Sequence, residues 1–176
     1  MRVAAVAALT LLFVSVPLRA DQKDTDFDPQ TNFLKYKTFT FRQGQIEAKS
    51  PELNSPIVRK KIEDSIRSQL MAKGMTEVQN RPDVVVNFRF GAADRRQVES
   101  FPAGRWGRRR RIETFRFTEG TLVVNLMDTD GRDLVWRGIY RDDESNPGKI
   151  SNKLPDDIKK LFSDFPPKKK LSFSIR

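Results

Sequence analysis

The sequence predicts an α+β fold: a two-layer sandwich in which a mixed, mainly antiparallel β-sheet of about four to five strands is covered by two helices, in the order β-α-β-β-β-α. Three stretches carry that prediction. In Glu119 to Tyr140, Leu122, Val124 and Leu126 alternate with Thr121, Val123 and Asn125; an Asp128-Thr129-Asp130-Gly131 cluster intervenes, and Leu134, Trp136 and Tyr140 resume the run. Period-2 patterning on either side of an Asp/Gly cluster is the mark of a β-hairpin. Val58, Ile62, Ile66 and Leu70 recur every four residues, which is the stripe of an amphipathic helix. Val84, Val86, Phe88 and Phe90 alternate with Val85, Asn87 and Arg89, which gives a further half-buried strand.

Taken in order, Met1 to Ala20 reads as a secretory leader. Arg2 is its positive start, Val3 to Val16 its apolar run, Pro17 a break and Ala20 a small residue at the cut. That run is too short to span a bilayer as a helix. Residues 21–32 are polar and rich in Asp, the composition of a flexible lead-in. Tyr36 to Phe41 alternates aromatic and polar residues and predicts the first strand, and 43–54 a loop. Ser55 and Pro56 open the first helix as cap and first residue, and Gly74 closes it where a left-handed residue is wanted. The strand after Pro82 lies beside the first through a strand-helix-strand crossover.

Residues 92–112 show no periodicity and carry Pro102, Gly104 and Gly107, so they are expected to form a long Arg-rich loop. After the hairpin, Asp142 to Asn152 reads as a polar loop. Pro155 then starts a second helix, with Ile158, Leu161, Phe162 and Phe165 as its stripe and Asp156 and Asp157 at its positive end. Pro166-Pro167 stops it. Residues 168–176 are either a basic tail or an edge strand, and 21–167 form a single domain.

Composition excludes more than it selects. The 176 residues include no Cys and no His, which removes thiolate nucleophiles, disulfides, imidazole bases and most transition-metal sites. The formal charge is +10; the leader holds Arg2 and Arg19 and no acid, so the remainder carries 31 basic against 23 acidic side chains, a formal +8. Such an excess attracts anionic surfaces and partners.

The densest feature is Arg105-Trp106-Gly107-Arg108-Arg109-Arg110-Arg111, five arginines in seven residues beside an indole. Guanidinium groups fork onto phosphate oxygens and Trp sits well at interfaces, so Arg105, Trp106, Arg108, Arg109, Arg110 and Arg111 are the candidate anion-binding residues. Their plain alternative is a solvated charge run. Asp128, Asp130 and Asp133 have the wrong spacing for an EF-hand and fit a hairpin turn. Asp142-Asp143-Glu144 lacks any neighbouring base signal. Trp136 reads as a core aromatic, and Arg137 on the opposite face as half of a pair with a carboxylate.

Several blocks together resemble a known family. Asp26-Phe27-Asp28-Pro29, Phe33, Tyr36-Lys37-Thr38-Phe39, the helix ending at Gly74, Pro82-Asp83, Glu119-Gly120-Thr121-Leu122, Leu134-Val135-Trp136-Arg137-Gly138 and Phe165-Pro166-Pro167 resemble the bacterial envelope proteins of domain of unknown function 4136. The resemblance implies an exported α+β domain, often lipid-anchored in relatives, with no assigned reaction, cofactor or catalytic residue. Asn125 stands where that pattern commonly has Asp, and this chain lacks the Cys that would carry a lipid.

These readings lead to an exported, periplasmic protein of a Gram-negative bacterium, not lipid-anchored, without cofactor or metal. Its Arg loop is expected to contact an anionic envelope component (phospholipid head groups or lipopolysaccharide) or an acidic protein face, with nucleic acid not expected. An enzyme working through carboxylate or Lys chemistry in a cleft beside that loop is the alternative.

Overall fold

The structure, a computed structural model, describes residues 22–42, 44–91, 97–103, 109–115, 120–129 and 133–168. Its nine strands are β1 (Gln22–Phe27), β2 (Thr38–Phe41), β3 (Gln45–Ile46), β4 (Thr76–Glu77), β5 (Val84–Phe90), β6 (Gln97–Ala103), β7 (Arg109–Phe115), β8 (Thr121–Asp128) and β9 (Leu134–Arg141). Two helices, α1 (Pro56–Ala72) and α2 (Pro147–Leu161), complete it with single 3-10 turns at Phe33–Lys35 and Phe162–Asp164. Among the described residues seven strands form one mixed sheet in the order β1-β9-β8-β5-β2-β4, with β3 also paired to β5, while β6 and β7 form a separate two-stranded sheet. The expected class, α+β with two helices on a mixed sheet, is what forms. The strand number and order are corrected, because β3 and β4 are two residues each and too short to show any period.

The best-patterned elements follow their side chains. Ser55 accepts the N–H of Val58 at 3.2 Å and Pro56 sits in the first turn. Gly74, at φ +84°, lets its own N–H reach Met71 and the N–H of Met75 reach Leu70. That is a Schellman ending, which a residue with a Cβ adopts only at a cost. The stripe Val58, Ile62, Ile66 and Leu70 is buried in one cluster with Val84, Val86 and Phe88 of β5 and with Leu122, Val124 and Leu126 of β8. The crossover through α1 brings β2 parallel to β5, Phe39 opposite Val84. β8 and β9 form the expected antiparallel hairpin, with a register shift at Leu126/Met127.

Elsewhere the chain departs from its pattern. Gln22–Phe27 is an edge strand rather than part of a lead-in, running antiparallel to β9 from Gln22 opposite Arg141 to Phe27 opposite Trp136. Its side chains are largely exposed, so only the backbone ladder betrays it. The first predicted strand begins two residues late, at Thr38. Where a loop was expected over 92–112, a two-stranded ribbon forms and runs on to Phe115: Gln97 pairs with Phe115 through to Ala103 with Arg109. An isolated ribbon satisfies its backbone on itself and needs no apolar alternation, so nothing in the sequence announced it.

The largest correction concerns α2, which starts at Pro147 and not at Pro155. Asn146 accepts the N–H of Lys149 at 3.0 Å as cap and Pro147 opens the helix, so Pro155 lies inside it. An internal proline supplies no N–H to the carbonyl four residues before it, here Ser151. Lys61 of α1 fills that place, its Nζ donating to Ser151 O at 2.9 Å and to Ser151 Oγ at 3.0 Å. At the far end Trp136 stacks on Phe162 at 5.0 Å and edge-on to Phe165 at 5.3 Å, and Phe33 meets Phe165 at 5.9 Å. The N-terminal segment and the close of α2 are thereby joined over β9.

Candidate functional site

Of the arginine cluster, Arg109, Arg110 and Arg111 occupy consecutive positions of β7, opposite Ala103, Pro102 and Phe101 in the ribbon register. Arg105, Trp106 and Arg108 lie outside the described residues. The ribbon is not remote from the sheet, since the backbone of β6 comes within 8 Å of β9, Cα to Cα. β9 is hydrogen-bonded along both edges, to β1 and β8, and α2 packs on it from the helix side. The sheet has a second face, opposite the one that packs on the helices.

That face carries a polar row that crosses four strands in register: Asp26 of β1, Arg137 of β9, Asn125 of β8 and Asn87 of β5. Arg137 Nε donates to Asn125 Oδ1 at 2.8 Å, and Asn125 Nδ2 donates to Asn87 Oδ1 at 2.9 Å. Arg137 is only 1% exposed, so its charge is held by hydrogen bonds instead of water. Asp26 stands opposite Arg137 in the register, and the amides of Asn125 and Asn87 continue the row, which alternation alone did not disclose.

The Asp128 turn is used differently from the expectation of purely local bonds. Asp128 Oδ2 accepts from Tyr36 Oη at 2.6 Å and from Lys35 Nζ at 2.8 Å, tying the hairpin tip to the start of β2. Asp130 is outside the described residues. Among the described residues no group of three or more acids forms a metal-binding cluster, and no helix is long and apolar enough to cross a membrane.

A second cluster, missed from the sequence, sits where α2 meets the end of β9. Asp142 and Asp157 are 5% and 3% exposed. Asp142 Oδ1 accepts from Lys153 Nζ at 2.8 Å and from the N–H of Glu144 at 2.9 Å. Asp157 is hydrogen-bonded to the Tyr140 hydroxyl, which in turn accepts from Lys160 Nζ at 3.1 Å. Burial lifts the Asp157 carboxyl above the ordinary aspartate range; the Tyr140 hydrogen bond opposes that rise, and the nearby Asp142 charge adds to it. The remaining oxygens, Asp142 Oδ2 and Asp157 Oδ1, have no hydrogen-bond partner. Chemically the cluster can hold and release a proton. Its signal was present: with the helix begun at Pro147, Asp157 falls on the apolar stripe Ile150, Leu154, Ile158, Leu161. Begun at Pro155, the helix makes Asp157 an unremarkable first-turn acid.

A groove of about 380 Å³ is lined by Phe27, Pro29, Phe33 and Leu34 together with Pro166 and Pro167. Blocks from opposite ends of the sequence thus line one groove.

A seven-stranded mixed sheet backed by two helices, with a separate arginine-bearing ribbon, defines an α+β domain. The chain belongs to the family described as Domain of unknown function (DUF4136), whose model matches residues 23–167. No curated protein matches the sequence. Among solved structures it is similar to a PDZ domain protein from Parabacteroides distasonis, with TM-score 0.48 and 14% identity over 85% of this chain. The chain spans 37% of that protein's length. It is also similar to a PelC dodecamer subunit from Paraburkholderia phytofirmans, with TM-score 0.48 and 9% identity, covering 82% of this chain and 96% of that one. A minor lipoprotein from Acinetobacter baumannii is more distant, with TM-score 0.27 and 13% identity over 72% of this chain and 87% of that one.

Proposed function

We propose that this is an exported, periplasmic envelope protein that works by binding or scaffolding, with the arginines of its ribbon contacting an anionic surface. The single observation that supports the reading most is the ribbon itself: three consecutive arginines occupy strand positions on a two-stranded element hydrogen-bonded separately from the seven-stranded sheet. The formal +8 outside the leader adds long-range attraction. The absence of Cys and His from the sequence removes thiolate and imidazole chemistry.

The phosphate-rich face of an envelope membrane is the favoured partner, with lipopolysaccharide sharing its chemistry. Sedimentation with phosphatidylglycerol vesicles and with phosphatidylcholine vesicles, at about 0.05 M and about 0.5 M salt, tests it. Binding to the anionic vesicles that weakens at high salt, and that is reduced by replacing Arg109, Arg110 and Arg111 with Gln, is expected. Equal, salt-insensitive binding to both vesicles, or none to either, overturns the reading.

A further inference from the structure

Both faces of the inner strands β8 and β9 are buried, and only one of them lies under the helices. Leu122, Val124 and Leu126 belong to the cluster that the helices cover. Val123 and Ile139, opposite each other in the ladder, alternate onto the second face and are nonetheless only 4% exposed each. The next pair on that face, Asn125 and Arg137, is 8% and 1% exposed. Burial falls off one strand out on either side: in the same rows, Asn87 and Arg89 of β5 and Asp26 of β1 are half-buried, and Asp24 is exposed. The second face is thus covered over the width of two strands.

We infer that the cover is the β6–β7 ribbon, seated with its Glu99–Glu113 face inward so that the two carboxylates close on the guanidinium of Arg137. The ribbon has the width, and the backbone of β6 lies within 8 Å of β9, Cα to Cα.

Its register sets what each ribbon face carries, because residues paired across a ladder share a face and alternate along it. On one face Glu99 with Glu113 stands between Gln97 with Phe115 and Phe101 with Arg111. The other holds Val98 with Thr114, Ser100 with Ile112 and Pro102 with Arg110, so it has no acid and would bring a second arginine toward a buried one. Like charges directly opposite destabilise a ribbon left to itself. A buried guanidinium is costly unless carboxylates meet it, and its five donors accommodate more than one. Asp26 stands opposite Arg137 in the sheet, and the glutamate pair adds acceptors from above. The two charge groups offset each other's cost. Phe101 and Phe115, on the same ribbon face, are the counterparts of the apolar pair Val123 and Ile139.

Arg137 is then a positioning residue for the ribbon. With the glutamate face inward, Arg110 turns outward beside Pro102, which bears on the surface contact proposed above. The seat itself requires no such contact and is tested without vesicles, so either can fail alone.

Nuclear Overhauser contacts in the native protein need no variant to fold. The methyl groups of Val123 and Ile139 should meet the rings of Phe101 or Phe115. Contacts to Val98 and Ile112 instead, or none to the ribbon, overturn the inference. A double-mutant cycle in urea then reads the charges, with Arg137→Met as one arm and Glu99→Gln with Glu113→Gln as the other. Arg137→Met should raise the unfolding equilibrium constant about tenfold less once the glutamates are neutral. An equal rise in both backgrounds overturns the pairing of Arg137 with the ribbon.

Discussion

Lys61 Nζ lies 2.9 Å from the carbonyl oxygen of Ser151, the acceptor in α2 that Pro155 leaves without its helical N–H. A side chain of one helix thus completes the backbone of another. The two helices share an apolar seam, and this polar stitch fixes their relative height.

Replacing Lys61 by Met keeps the aliphatic stem and removes the donor. A half-buried carbonyl then goes unpaired, and unfolding free energy should fall by about 1–2 kcal/mol. In a Pro155→Ala background the restored N–H reaches Ser151, so Lys61→Met should cost less there. Urea titration of the four proteins forms a double-mutant cycle, and equal costs in both backgrounds would deny the stitch its role.

Gly138 of β9 lies directly beneath α2. A Cβ there would stand 2.8 Å from Leu161 Cδ1 and closer still to the Trp136 ring, leaving it no room. Gly138→Ala should therefore push the end of α2 away and cost about 1–3 kcal/mol, read as a lower urea midpoint with an unchanged slope. A variant as stable as the native protein would show that α2 can shift there freely.

Asp83 contributes to stability on the acid side. Its Oδ2 accepts the N–H groups of Lys37 and Thr38, both at 2.8 Å, and its own N–H donates to Thr38 Oγ1 at 3.0 Å, so it joins the starts of β2 and β5. The Lys37 hydrogen bond foremost, then that of Thr38, hold its carboxyl below the usual range. A lowered folded value means stability present above the unfolded value, near 4, and lost as pH falls through the folded value. In thermal melts from pH 6 downward, the gap in melting temperature between native protein and Asp83→Ala should narrow below about pH 4. A gap of constant width would show that the carboxylate form makes no special contribution.

What the sequence determined by itself was every element whose fate is set by its own side chains. The stripe of α1 with Ser55 and Gly74 at its ends, the alternation of β5, and the β8–β9 hairpin all declare themselves because burial of one face selects one period. The family blocks around Trp136 and Gly138 were legible for the same reason, being packed against α2. Only the tertiary structure decided the rest. β1 and the β6–β7 ribbon exist through backbone pairing, which is blind to side-chain pattern. The start of α2 turned on whether Pro155 opened the helix or was absorbed within it, and that depended on a lysine ninety residues away in sequence supplying the missing donor. The longer helix adds Ile150 and Leu154 to the stripe, and Asp157, expected at the positive end of a helix begun at Pro155, shares their buried face near Tyr140 and Asp142, because residues three and four apart lie on one side of a helix.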